Sequence, residues 1–164
     1  MKIKKIGLSI LIVILSFSMV AASILPLKGG TLKRGENAEF WSGKAGVVFT
    51  KSQFNGTVYV SRLSDSRIHA TNNIMFTNDL VNIRLVKTGG DKVSLVVGAV
   101  YVYFVVTSRE ARAYEEGELE LYRYDGWHNE WVGCGSFVVR DDSGKPRIAC
   151  RMVTFGTFGL GEKK

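Results

Sequence analysis

Residues 119–160 alternate apolar and polar side chains with a period of two, and this alternation constrains the fold more than any other feature of the chain. It runs through Leu119-Glu120-Leu121-Tyr122, breaks at the turn signal Asp125-Gly126, and resumes over 131–139 and 147–155. Successive side chains on a strand point to opposite faces, so runs of this kind with short polar breaks read as an antiparallel meander. The link Asp141-Asp142-Ser143-Gly144 is short enough to make the runs on either side of it neighbours.

Those two runs carry the only cysteines, Cys134 and Cys150. Their midpoint falls on Asp142, inside the turn, which predicts a disulfide across the hairpin; closing a loop of this length stabilises a fold by about 3 kcal/mol. Two cysteines without a neighbouring histidine fall short of a four-ligand zinc site. A disulfide implies an exported chain, and the N-terminus agrees with export. The start MKIKK carries three lysines, residues 6–27 are uncharged, and small residues cluster at Val20-Ala21-Ala22-Ser23. That order is the order of a secretory signal, residues 1–22, with cleavage after Ala22. The same uncharged run is also long enough to serve as an uncleaved anchor to about Leu27. Either way the remainder, read as one domain over 29–161, is expected in the extracellular space or the cell envelope, touching a membrane only through an uncleaved N-terminal segment.

Loss of residues 1–22 removes three of the 22 basic residues and none of the 15 acidic ones, which leaves a net charge of +4. The remaining bases are scattered among acids and form no stripe, so nucleic acid is not an expected partner.

Along the chain, Gly29-Gly30 reads as a turn, Ala38-Glu39-Phe40-Trp41 as a strand with Trp41 in the core, and Asn55-Gly56 as a hairpin between strands at 45–49 and 57–63. Asn55-Gly56-Thr57 also fits the N-glycosylation pattern, although a tight turn accounts for the pair. Residues 64–82 read as a polar loop whose oxygen-bearing side chains match no calcium-loop spacing, with His69 an exposed member. A strand follows at 81–86. The run 93–106 is the most apolar part of the chain after the signal, and its valines and aromatics suggest a strand buried on both faces, with Gly98 marking a bend where the chain passes between strands or sheets. The single helix candidate is 108–116. The fold class is therefore all-β, an antiparallel two-sheet β-sandwich.

Tyr122, Tyr124, Asp125-Gly126 and Trp131, followed by a strand ending in Phe155-Gly156-Thr157-Phe158-Gly159-Leu160, resemble the closing half of β-sandwich modules repeated in bacterial and archaeal surface proteins. Gly29-Gly30-Thr31-Leu32, with a phenylalanine-bearing turn at Phe54 between strands, is similar to the start of the β-sandwich interaction domain of ankyrins, netrin receptors and tight-junction scaffold proteins, and of its prokaryotic surface relatives. The resemblance implies a structural or protein-interaction unit and carries over no catalytic residue.

The residues themselves point the same way. No nucleophile elbow, phosphate-cradling loop or zinc-protease motif is present, and His69 and His128 are the only imidazoles, so neither catalysis nor a cofactor is expected. Trp127, His128 and Trp131 lie in or beside one hairpin with Arg123 close by, a set able to stack against a sugar or hold an anion. The competing reading of Trp131 is a lid on the end of the core. Phe155, Phe158 and Leu160 read as core, and 162–164 as a solvated end. The expected role is that of an exported, non-catalytic module contacting an unidentified protein or surface glycan.

Overall fold

The computed structural model describes residues 28–63, 74–77 and 80–163, so the expected signal or anchor segment and His69 lie outside the described residues. The strands are β1 (Lys28–Leu32), β2 (Ala38–Ser42), β3 (Ala45–Thr50), β4 (Gly56–Leu63), β5 (Ile74–Phe76), β6 (Leu80–Lys87), β7 (Lys92–Val93), β8 (Ala99–Val105), β9 (Leu119–Asp125), β10 (Glu130–Gly133), β11 (Phe137–Arg140), β12 (Pro146–Arg151) and β13 (Gly156–Lys163). One helix, α1 (Ser108–Glu115), joins β8 to β9. The strands form two antiparallel sheets packed face to face. The larger runs β1-β4-β6-β13-β9-β10, with β5 on β13 and β7 on β6, and the smaller runs β11-β12-β8-β3-β2.

Alternation decides which side chains meet between the sheets. Val58 and Val60 of β4, Ile83 and Leu85 of β6, Leu119 and Leu121 of β9, and Phe158 and Leu160 of β13 face Val47 and Phe49 of β3, Val100, Val102 and Phe104 of β8, and Ile148 and Cys150 of β12. These residues are almost fully buried. Removing one of the phenylalanines from such a core costs about 3–5 kcal/mol. α1 covers one end of the sandwich, called the helix end below. It is capped by a reciprocal box in which Thr107 Oγ1 accepts from Glu110 N–H and the Glu110 carboxylate accepts from Thr107 N–H. Its Ala111 is buried in the core, and its Tyr114 hydroxyl donates to the Ser136 carbonyl.

Several strands fall elsewhere than the sequence suggests. Asn55-Gly56 is no hairpin, because β3 pairs with β2 and β8 whereas β4 pairs with β1 and β6. The link 51–55 instead carries the chain from the smaller sheet to the larger. Asn55 ties loops together there, its Oδ1 accepting from Arg34 N–H at 2.8 Å and its carbonyl from Thr88 N–H at 3.0 Å. Gly56 lacks a side chain because the Val86 carbonyl occupies the place of a Cβ. Gly29-Gly30 is not a turn but part of β1, where the Phe40 ring from the opposite sheet lies against Gly30.

The polar loop expected over 64–82 contains β5 and the start of β6. The expected solvated end is strand as well: Glu162 pairs with Met75 and Leu119. The run 93–106 is not one buried strand. β7 ends at Val93, Leu95 and Val97 are exposed, and only β8 is central. Gly98, at a positive φ of 99°, stands where the chain leaves the larger sheet for the smaller one.

Candidate functional site

The hairpin residues singled out by the sequence do not form one surface. Trp127 sits in the β9–β10 turn and is 88 % exposed. Asp125 shapes that turn by accepting from Trp127 N–H at 3.0 Å and facing His128 Nδ1 at 2.9 Å. The contact holds the Asp125 carboxyl below, and the His128 imidazole above, its ordinary pKa. Trp131, by contrast, is only 6 % exposed. Its ring lies 4.5 Å from Phe76 and 5.3 Å from Tyr124. Together with Leu80 and Tyr122 it makes a second, smaller core on the outer face of the larger sheet. Gly159 makes room for that cluster, since a Cβ there would run into Leu80 and Phe76. Arg123 is turned to Thr154, its Nη1 donating to Oγ1 at 3.1 Å. Trp131 is therefore buried in this outer cluster and not over the end of the main core, and the hairpin does not present Trp127 and Trp131 as an aromatic pair.

The outer face of the smaller sheet carries a different constellation. The register pairs Trp41 with Gly46, Gly46 with Tyr103, Tyr103 with Ala149, and Ala149 with Phe137. One cross-strand row thus reads Trp41-Gly46-Tyr103-Ala149-Phe137, large and small in alternation over five strands. Because neighbouring strands lie about 4.8 Å apart, the three aromatic positions stand about 10 Å from one another at the backbone. Trp41 is 55 % exposed, so its expected place in the core is wrong. Phe40, one residue earlier, points inward instead, and adjacent strand residues cannot both face the core.

Gly46 lets the Tyr103 ring lie down against the sheet, since a Cβ there would strike the Tyr103 ring and hydroxyl. The ring is covered by Arg147, whose guanidinium carbon is 4.3 Å from the ring centroid. Arg147 is held from both sides, with Nη1 on Glu39 Oε1 at 2.8 Å and Nη2 on Asp141 Oδ2 at 3.2 Å. Burial, reinforced by the hydrogen bond to Glu39, pushes the Tyr103 phenol far above its ordinary pKa. Asp141 is drawn down to about 2, first by the Ser143 hydroxyl and then by the backbone N–H groups of Lys145 and Ser143 and by Arg147. Its Oδ1 accepts from Ser143 Oγ at 2.7 Å and from Lys145 N–H at 3.0 Å. Arg147 Nε is buried without a hydrogen-bond partner among the described residues.

Tyr103 and Arg147 form a ridge between two hollows. One, of about 340 Å³, is walled by Val48, Tyr101, Phe137, Val139 and Ala149. The other, of about 410 Å³, is polar and lined by Glu39, Trp41, Lys44, Asp141 and Lys145. Among the described residues no group of three or more histidine, cysteine, aspartate or glutamate side chains is placed to hold a metal ion.

Sequence reasoning passed over this face because both phases of β8 are apolar. The signal available was the spacing of Tyr101 and Tyr103 against Val100, Val102 and Phe104. No protein-family model matches the chain, and no curated protein matches it either.

Proposed function

We propose that this protein is an exported, non-catalytic β-sandwich module that binds a protein partner through the outer face of its smaller sheet. One observation carries the reading. The outward face of a two-layer antiparallel sandwich is ordinarily polar, yet here Trp41, Val48, Tyr101, Phe137 and Val139 surround an arginine stacked on a tyrosine. Tryptophan, tyrosine and arginine are the residue types that dominate binding energy at protein interfaces. Arg147 is preorganised by Glu39 and Asp141, so little side-chain freedom remains to be lost on binding.

A protein fits this face better than a glycan. The Tyr103 ring is already covered by Arg147 and offers no open face to a sugar, while Tyr101 and Phe137 pack edge to face at 6.1 Å. Export is supported by the signal-like N-terminus and by the oxidised cysteine pair. The likeness to interaction domains of surface proteins is in keeping with the same role.

The test is a photoreactive residue placed at Phe137 in protein expressed in its native host, with a second at Arg84 on the outer face of the other sheet. A discrete protein adduct from position 137, absent at 84, is the expected result. No adduct at 137, or the same adducts from both positions, would overturn the proposal.

A further inference from the structure

The four most exposed large apolar residues among those described are Trp127, Leu95, Val97 and Val153, and all four belong to the end of the sandwich opposite the helix. The fold brings them there through two crossings between sheets. The chain leaves the larger sheet after β7 and enters the smaller at β8, and it returns from β12 to β13. The two crossing segments pair with each other: Leu95 bridges Thr154, Val96 N–H donates to the Val153 carbonyl, and Phe155 N–H donates to the Ser94 carbonyl, both at 3.0 Å.

This ribbon closes the end of the core with Val96 and Phe155 turned inward. Its other side turns Leu95 (66 % exposed) and Val97 (59 %) to solvent, and Val153 (57 %) is exposed at the bend that follows Met152. The β9–β10 turn reaches the same end, because Arg123 pairs with Phe158 and its side chain holds Thr154. Trp127 projects from that turn.

Basic residues outnumber acidic ones around these side chains, although Asp125 and Glu130 flank Trp127 itself. Lys87 and Lys92 flank the β6–β7 turn, with the Lys87 ammonium 5.4 Å from the Phe54 ring in the 51–55 link that also carries Lys51. Arg151 reaches the Gly98 carbonyl at 3.5 Å. Asp91 is the one acidic residue in 87–98.

We infer that this end is a membrane-docking tip, in which Leu95, Val97, Val153 and Trp127 enter the headgroup region of an anionic lipid bilayer and Lys51, Lys87, Lys92 and Arg151 meet its phosphates. Leucine and valine on a projecting ribbon offer little shape for a protein partner to grip, and they are apolar enough to enter a bilayer surface. Basic residues around an apolar tip add electrostatic attraction to acidic lipids, and tryptophan favours the interface between water and hydrocarbon. The tip is separate from the Tyr103–Arg147 face.

The test uses residues 28–164, which contain the whole core described above, with intact disulfide and β-sheet circular dichroism as the criterion of folding. Sedimentation is measured with phosphatidylcholine vesicles, alone or with about one third phosphatidylglycerol. Binding to the anionic vesicles only is expected, with a blue shift of tryptophan emission and a large loss of binding between about 0.1 and 0.5 M salt. The variant Leu95→Ser/Val97→Ser is expected to weaken binding about tenfold or more. Lys87→Glu/Lys92→Glu is expected to do the same, whereas Met75→Ser, an exposed apolar residue toward the helix end, leaves it unchanged. Absence of binding to anionic vesicles, equal binding to neutral ones, or indifference to Leu95→Ser/Val97→Ser would each overturn the inference.

Discussion

Cys134 and Cys150 join the two sheets to each other, not the two strands of one hairpin. Cys134 extends the β9–β10 ladder of the larger sheet, its N–H donating to the Leu121 carbonyl at 3.1 Å, while Cys150 lies in β12 of the smaller sheet with its Cα 6.0 Å away. The β11–β12 register pairs Phe137 with Ala149, so Cys134 lies beyond the strand positions that could oppose Cys150. The bond is therefore an inter-sheet staple. Reduction, or Cys134→Ser with Cys150→Ser, is expected to lower stability by about 3 kcal/mol. Urea unfolding with and without reductant checks the value, and a loss below about 1 kcal/mol would contradict the stapling role.

Gly46 underlies the Tyr103–Arg147 ridge, and Gly46→Ala tests that dependence. The added methyl meets the Tyr103 ring on one side and the Phe40 carbonyl, 2.8 Å away, on the other. A destabilisation of about 2 kcal/mol is expected from the overpacking, together with displacement of the ring from Glu39. Thermal unfolding and the Tyr103 side-chain NMR signals read the two effects separately; an unchanged melting temperature would contradict the close contact.

The Asp141 carboxylate is expected to stay ionised into strong acid. Its pKa in the folded protein, about 2, lies below the unfolded value, so its contribution to stability is present above the ordinary carboxylate range and is lost as pH falls through about 2. Carboxyl-carbon NMR should show Asp141 titrating near that value, and Ser143→Ala should move the midpoint up. A midpoint in the ordinary range would remove the turn network from the account of Arg147.

The Asp125–His128 contact works in the opposite sense for its basic partner. Raised by Asp125, the His128 imidazolium contributes fully below its unfolded pKa and less as pH rises through the folded one. Asp125, held low first by His128, contributes above the ordinary carboxylate range and less as pH falls through its lowered value. The turn that presents Trp127 is thus tightest in mildly acid solution. Asp125→Asn is expected to return the His128 midpoint to about 6.5, which proton NMR of the ring measures directly; an unmoved midpoint would mean another group holds the imidazole.

Much of the fold was legible in the sequence, and the misses share one cause. The helix after Thr107, the turn at 141–144 and the inward phase of Phe158 and Leu160 follow from local chemistry: a capping box, an Asx-type turn and a period of two. Asn55-Gly56 misled because a tight-turn dipeptide does not say which strands its flanks will join. Trp41 misled because Phe40 and Trp41 form an aromatic pair in which alternation puts one inside without saying which. In β8 both phases are apolar, so the outward tyrosines looked like core.

Alternation and turn chemistry determined by themselves that the described residues form an antiparallel sandwich with one short helix, because those signals act between residues close in sequence; the pair of cysteines announced a disulfide but not that it would join the two sheets. The tertiary structure alone decided which sheet each strand enters. That choice sets Trp41, Gly46, Tyr103, Ala149 and Phe137 in one row, brings Arg147 between Glu39 and Asp141, and leaves Leu95, Val97 and Val153 on an open end. Pairing is fixed by burial summed over strands far apart in sequence, and no local pattern encodes that sum.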